Sequence, residues 1–224
     1  MRALAIETAT TACAIALRDG DDVIERVLDT ERRHTEALTG GIAELLDARS
    51  LSARDLELVV VDRGPGLFTG LRVGLAAAQA LARGLGVALV EVTSLELLAA
   101  SARRRGQRGV VTALVDARRG EVFAQSFFLD GDVVAIDEPR VLAPAALIES
   151  WRDDAQHRVV TGDGALRYRA IFEALDGAVV LDESVPSPRE ALILAEGRTP
   201  VEFVTPLYLR EADAVSNFTV RADP

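Results

Sequence analysis

The order in which apolar periodicity changes along this chain limits its fold more than any single motif does. Alternation with a period of two marks strands over 3–6, 12–17 and 23–28, the last following the turn "RDGDD". A helical period over 35–48 comes next, then a strand over 58–61, a helix over 70–83 and a strand over 87–92. The same order returns in the second half: strands over 110–115, 121–129 and 133–136, a helix over 144–151, a strand over 159–161, a helix over 165–175 and a strand over 179–181. The repeat lies in the pattern and hardly in the letters.

Three antiparallel strands followed by alternating helices and parallel strands make a ribonuclease-H-like unit. Two in tandem give the actin-like ATPase (ASKHA) architecture, an α/β fold. The expected division is an N-terminal unit over 1–102, a C-terminal unit over 103–208 and a tail over 209–224 that packs back on the first unit. The polar stretch "SARRRGQRG" at 101–109 reads as the connection. Its Arg103, Arg104, Arg105 and Arg108 are either a solvated linker or a basic patch for RNA.

Composition narrows the chemistry. All 25 basic residues are arginine, because the chain of 224 residues holds no lysine. A P-loop lysine, a Schiff base and a lysine general base are therefore excluded. The net charge of −10 opposes an unaided grip on nucleic acid, whose binding depends on neutralising phosphates. Cys13 is the single cysteine, set in the strand-like "TACAIAL", and reads as a small core residue. Arg83, Glu91 and Glu96 interrupt the longest apolar run, so no span of roughly 18 residues is available to cross a membrane. The opening "MRALAIET" is strand-like rather than a secretion signal, and the expected location is the cytoplasm.

In an actin-like phosphotransferase, the first hairpin of each unit offers a phosphate-facing turn preceded by a carboxylate. Here those turns are "ETATTA" and "DARRGE", with Glu7 and Asp116 as the acids expected to face each other across the cleft. Such acids hold Mg²⁺ or position a water. They serve equally as strand-end polar groups that orient a hairpin, and the first turn has no glycine with which to wrap a phosphate. No resident cofactor is expected. His34 and His157 are far apart, and neither has a partner at metal-ligand spacing, so no metal site is expected. Ser94 and Ser126 lack a nucleophile-elbow motif.

"RGPGLFTGLRVG" holds four glycines and a proline and joins the buried-looking "LELVVVD" to an alanine-rich helix. A glycine loop at a helix N-terminus can bind an anion, but this one lacks the Walker lysine. The helix itself, "LRVGLAAAQAL", is apolar nearly all round and calls for burial on two sides. The preceding helix, "TEALTGGIAELLDAR", carries a complementary apolar face. Thr35, Leu38, Thr39, Ile42, Leu45 and Leu46 on one helix, and Arg72, Val73, Ala76, Ala77 and Ala80 on the other, are the candidate interface for another subunit. The alternative is that the two helices pack only on their own sheet and on each other.

"GPGLFTGLRVGLAAAQALA", "VTSLELLA", "VDARRGEVF" and "TPLYLRE" together resemble the bacterial TsaB family over essentially the whole chain. The resemblance implies a partner subunit in the system that installs threonylcarbamoyl on the adenosine beside the tRNA anticodon. In that system TsaC makes the threonylcarbamoyl-adenylate donor, TsaD is the catalytic subunit and TsaE is an ATPase. It further implies an inactive paralogue of TsaD that pairs with TsaD through its first two helices and with TsaE, self-pairs when TsaD is absent, and meets tRNA only through the complex. The two places that carry a metal-binding histidine pair in TsaD hold Ser94 and Leu98 here. The reading of a different class is an autonomous ATP-dependent phosphotransferase of the same fold, which needs Glu7 and Asp116 to hold a metal.

Overall fold

A computed structural model describes residues 1–28, 34–152, 159–183 and 185–210, with backbone only for 34–36. The first unit runs β1 (Arg2–Glu7), β2 (Cys13–Asp19), β3 (Asp22–Leu28), α1 (His34–Asp47), β4 (Leu58–Asp62), α2 (Phe68–Leu85), β5 (Ala88–Val92) and α3 (Ser94–Arg104). The second runs β6 (Gly109–Arg118), β7 (Glu121–Asp130), β8 (Asp132–Ala135), β9 (Arg140–Leu142), α4 (Pro144–Ser150), β10 (Val159–Thr161), α5 (Asp163–Arg167), α6 (Arg169–Glu173), β11 (Val179–Val180) and α7 (Pro188–Leu194).

The two sheets have one topology. The first is ordered β3-β2-β1-β4-β5, and the second, read from its other edge, β8-β7-β6-β10-β11. In each, the first strand is antiparallel to the second and parallel to the strand that follows the next helix, as β1 is to β2 and β4 and β6 is to β7 and β10. This is the tandem actin-like arrangement expected from the periodicity. Besides α3, a helix absent from the expected order of elements, three details differ. The short β9 pairs with β7 as an addition to the second sheet. The helix expected over 165–175 is broken at Tyr168 into α5 and α6. The reading of 101–109 as a connection is corrected at its start: Ser101 to Arg104 is the last turn of α3, with Ser101 and Ala102 fully buried.

The helices that close each unit exchange sheets. On one face of the first sheet, Leu4, Ile6, Ile15 and Leu17 pack against Leu38, Ile42, Leu45 and Leu46 of α1 and Leu75 and Ala78 of α2. The other face presents the small side chains of Ala3, Ala5 and Ala16, and these accept Ala191, Leu192 and Ala195 from α7 or its C-terminal edge, at the far end of the second unit. Leu95, Leu98, Ala99 and Ala102 of α3 pack in turn on Val111, Ala113, Phe123 and Phe127 of the second sheet. The outer face of that sheet carries α4 to α6 through Leu147, Ala165 and Phe172. The result is five layers, with α3 and α7 side by side in the middle.

Local chemistry starts and holds these helices. Thr93 and Glu96 form a reciprocal capping box at the start of α3, the Thr93 hydroxyl accepting from Glu96 N at 3.1 Å while Thr93 N donates to the Glu96 carboxylate at 2.8 Å. Arg198 adds a 2.7 Å ion pair to the same carboxylate. Gly86 ends α2 in the left-handed conformation, at φ 70°. Among the described residues no helix is long and apolar enough to cross a membrane.

Candidate functional site

Glu7 ends β1 fully buried, and its carboxylate turns back on its own hairpin: Oε1 accepts from Ala9 N at 2.8 Å and from Thr10 N at 3.2 Å. These are N–H groups with which a phosphate-binding turn would hold its ligand. Here the chain's own side chain occupies them.

The other side of that turn is filled by α2. A Cβ at Gly66, Gly70 or Gly74 would lie 2.0 Å from Ala9 O, 2.1 Å from Thr8 O or 2.2 Å from Thr8 Oγ1, respectively. Leu67 N donates to Ala9 O at 2.6 Å, and the Thr8 hydroxyl donates to Gly70 O at 2.9 Å. The glycines of "GPGLFTGLRVG" are therefore a stripe of close backbone approach, and no side chain larger than hydrogen fits between α2 and the hairpin. The second unit uses the same device at Gly162, where a Cβ would lie 2.1 Å from Leu114 O.

Asp62, at the end of β4, was not among the residues singled out from the sequence. Its Oδ1 accepts from Gly64 N at 2.7 Å and its Oδ2 from the Ser94 hydroxyl at 2.7 Å, with Asp62 and Ser94 both buried. The readable signal was an acid closing the buried run "LVVVD" just before a glycine turn. Burial, reinforced by repulsion from neighbouring carboxylates, pushes Glu7 well above the usual carboxylate range and Asp62 up to about 7. Glu7 Oε2 has no hydrogen-bond partner.

The carboxylates that act on Glu7 are Asp62 and, more weakly, Asp163. Asp163 in turn accepts from the Asp116 amide at 2.9 Å, so it connects the two strand-end acids, while the Asp116 carboxylate takes Arg118 at 3.1 Å and Arg167 at 3.6 Å. Two guanidinium groups thus hold the carboxylate that a catalytic metal would need. Arg118, Arg119 and Gly120 turn the hairpin with positive φ at all three positions.

Of the other polar candidates, Ser126 is buried with its hydroxyl 3.1 Å from that of Thr112. His34 is the first residue of α1, with its side chain outside the described residues, as is Thr35's, and His157 lies outside them altogether. Cys13 is fully buried, and its thiol is pushed up to about 11 by that burial. Among the described residues no group of three His, Cys, Asp or Glu side chains is arranged to hold a metal ion.

The arginines of 103–108 all have protein acceptors. Arg104 pairs with the fully buried Glu190 of α7, Arg105 with Glu183 at 2.7 Å, Arg103 with Gly131 O, and Arg108 with Arg103 O and Gln107 O. Arg103, Arg104 and Arg105 tie the end of α3 to the second unit and to α7, while Arg108 bonds the carbonyls of its own turn; Arg104, Arg105 and Arg108 keep exposed surface.

The two-helix face divides in a way the sequence did not indicate. Leu38, Ile42, Leu45 and Leu46 are buried in the chain's own core, which corrects their reading as open interface residues. On α2, Gly70, Leu71, Gly74, Leu75, Ala78 and Ala82 face inward, while Arg72, Ala76 and Ala80 are exposed and Val73 and Ala77 half-buried. Thr39 of α1 is exposed beside them. Between the helices lies a hollow of about 520 Å³ lined by Leu38, Thr39, Phe68, Arg72, Val73 and Ala76, among others. Among the described residues, one side of α2 covers the sheet and the other carries the exposed Arg72, Ala76 and Ala80; the tail expected to pack back on this unit over 209–224 lies outside the described residues beyond Arg210.

A chain with two units of this topology is an actin-like protein, here with its first-hairpin amides held by its own Glu7 and an exposed small-residue face on α2. The family model described as "TsaD: tRNA N6-adenosine threonylcarbamoyltransferase" matches residues 28–176. The tRNA threonylcarbamoyladenosine biosynthesis protein TsaB of Escherichia coli is 32% identical, the match covering 94% of this chain and 95% of that protein. TsaB of Bacillus subtilis is 28% identical, with 96% of each chain covered. A crystal structure of a Pseudomonas aeruginosa protein, described as uncharacterized with similarity to peptidase YeaZ, superposes with a TM-score of 0.80 at 27% identity, covering 93% of this chain and 99% of that one. The chain belongs to the TsaB family.

Proposed function

We propose that this chain is a non-catalytic subunit of the machinery that makes threonylcarbamoyladenosine in tRNA, acting by docking a TsaD-type transferase on the open face of α1 and α2. The observation that carries the proposal is the exposed stripe of α2, where Arg72, Val73, Ala76 and Ala77 line a hollow and Ala80 continues the exposed face, while the opposite stripe is buried. Alanine side chains let two helices approach closely, and an apolar stripe of this size gains most when another apolar surface removes it from water. The names of the relatives supply the pathway, tRNA threonylcarbamoyladenosine biosynthesis.

The same geometry supports reading this chain as non-catalytic by itself. Ala9 N and Thr10 N are committed to Glu7, α2 fills the space beside the turn, and Asp116 is held by Arg118 and Arg167. A TsaE-type ATPase joins the pair in this reading, tRNA is met through the assembled complex, and self-pairing through the same face occurs when the transferase is absent.

The test is reconstituted tRNA threonylcarbamoylation with TsaC, TsaD and TsaE, run with and without this chain. Modification that depends on its addition supports the subunit role. Equal modification without it overturns that role.

A further inference from the structure

The chain beyond α7 returns to the first unit and then crosses to the second. Val201 N donates to Leu89 O at 2.8 Å, the buried Val204 donates through its amide to Gln79 Oε1 at 3.4 Å, and Leu207 N donates to Arg63 O at 2.8 Å. Arg210 then reaches the β6–β7 hairpin, donating to Ala117 O at 3.1 Å and pairing with Glu121. Between these anchors, Tyr208 stacks on Phe68 with ring centroids 5.2 Å apart, and its hydroxyl accepts from Arg72 Nε at 3.2 Å. The Arg72 guanidinium lies 3.7 Å over the Phe68 ring. Phe68 and Arg72 line the hollow on the open helix face.

We propose that residues 201–210 form a strap that is the third element of the docking face, and that through Tyr208 and Arg210 it links occupation of the hollow to the anchoring of the β6–β7 hairpin. The partner is the transferase subunit of the functional reading above, on which the partner's identity rests; the linkage itself belongs to this chain alone. The physical basis is the exposure of the cluster. Tyr208 is 44% and Phe68 38% exposed, so water competes for the Arg72–Tyr208 hydrogen bond and for the ring faces. A partner that covers them removes that competition and strengthens the strap. Whatever fixes Tyr208 also fixes Arg210 two residues on, and by linkage an anchored Arg210 favours the partner.

Amide hydrogen exchange on the full chain tests this without a partner, comparing wild type with Tyr208→Ala and Glu121→Gln. Glu121 belongs to the second unit and lies outside the docking face. The expected result is that Glu121→Gln raises exchange at least threefold at Leu207 and in the first turn of α2, while Tyr208→Ala raises it by a similar factor in 117–121. Changes confined to each variant's own end overturn the linkage. In a second arm, binding of TsaD to the wild type should slow exchange in 117–121, and Glu121→Gln should weaken that binding about threefold or more. Binding that leaves 117–121 unchanged overturns the proposal. No binding of TsaD at all overturns the docking reading instead, and the strap then stands or falls on the partner-free arm.

Discussion

Gly70 lies against the backbone of Thr8: the Thr8 hydroxyl donates to Gly70 O at 2.9 Å, and a Cβ on Gly70 would sit 2.1 Å from the Thr8 carbonyl oxygen. That oxygen is backbone, so a side chain at Gly70 cannot be accommodated without moving α2 or the hairpin. Gly70→Ala should therefore destabilise the chain by about 2 kcal/mol or more through overpacking. Gly84, in the same helix, has nothing within 4 Å of its would-be Cβ. Gly84→Ala should stabilise by about 0.5–1 kcal/mol through helix propensity. Urea denaturation of the two variants measures both, and an equal effect would remove the close-packing account of the glycine stripe.

Asp62 sets a pH dependence. Its folded pKa of about 7 lies above the ordinary carboxylate value near 3.8, so the folded chain holds a proton that the unfolded chain releases. The associated stability is fully present below about pH 4 and is lost as pH rises through about 7. Glu7 shifts in the same direction and adds to the trend. The urea midpoint should fall between pH 5 and pH 8. Asp62→Asn, which removes the titration while keeping an oxygen for Gly64 N and offering an amide N–H to the Ser94 hydroxyl oxygen, should flatten that fall. An unchanged slope would show that the general negative charge, rather than this carboxyl, is responsible.

Ala76 is exposed on the open stripe of α2, and replacing it should leave the fold within about 0.5 kcal/mol of wild type. Ala76→Arg should nonetheless abolish pairing with the transferase, because a guanidinium buried between helices costs several kcal/mol without a partner charge. Size-exclusion chromatography of the mixed proteins, with circular dichroism of the variant, decides the matter. A folded variant that pairs normally would move the docking surface elsewhere.

Arg104 and Glu190 join α3 to α7 across the middle layer, and Glu190 is fully buried. Burial raises the Glu190 pKa against the opposing pull of Arg104. Arg104→Ala should cost about 2–3 kcal/mol at pH 8, where an uncompensated buried carboxylate must ionise or take up a proton, and less at pH 5. A loss independent of pH would indicate that only packing of the arginine stem matters.

The sequence went furthest where the signal was local. Alternation at 3–6 and 12–17 gave strands because side chains in a sheet repeat every two residues, and the turn "RDGDD" located the hairpin between β2 and β3. Strand order then followed from the ribonuclease-H-like sequence of elements. The functional site was less legible. Glu7 and Asp116 were recognisable as strand-end acids, but Glu7's choice of its own hairpin amides, and of Asp62 as neighbour, depends on how three separate strands end together. Asp62 carries no periodic signal, being a single acid after a valine run.

What the amino-acid order determined by itself is the repeated unit, the absence of lysine chemistry, the small core cysteine and an alanine-rich helix too apolar for an ordinary surface. What only the tertiary structure decided is where each of these goes. The glycines after β4 look like a phosphate loop until Thr8 and Ala9 are seen against them. The second helix looks buried all round until its outer stripe is found open. The closing helices exchange units because the alanine faces of β1 and β2 leave room for α7, while α3 finds the larger Phe123 and Phe127 on the second sheet. Periodicity reports which face of an element is apolar; only the folded chain chooses which distant apolar face meets it.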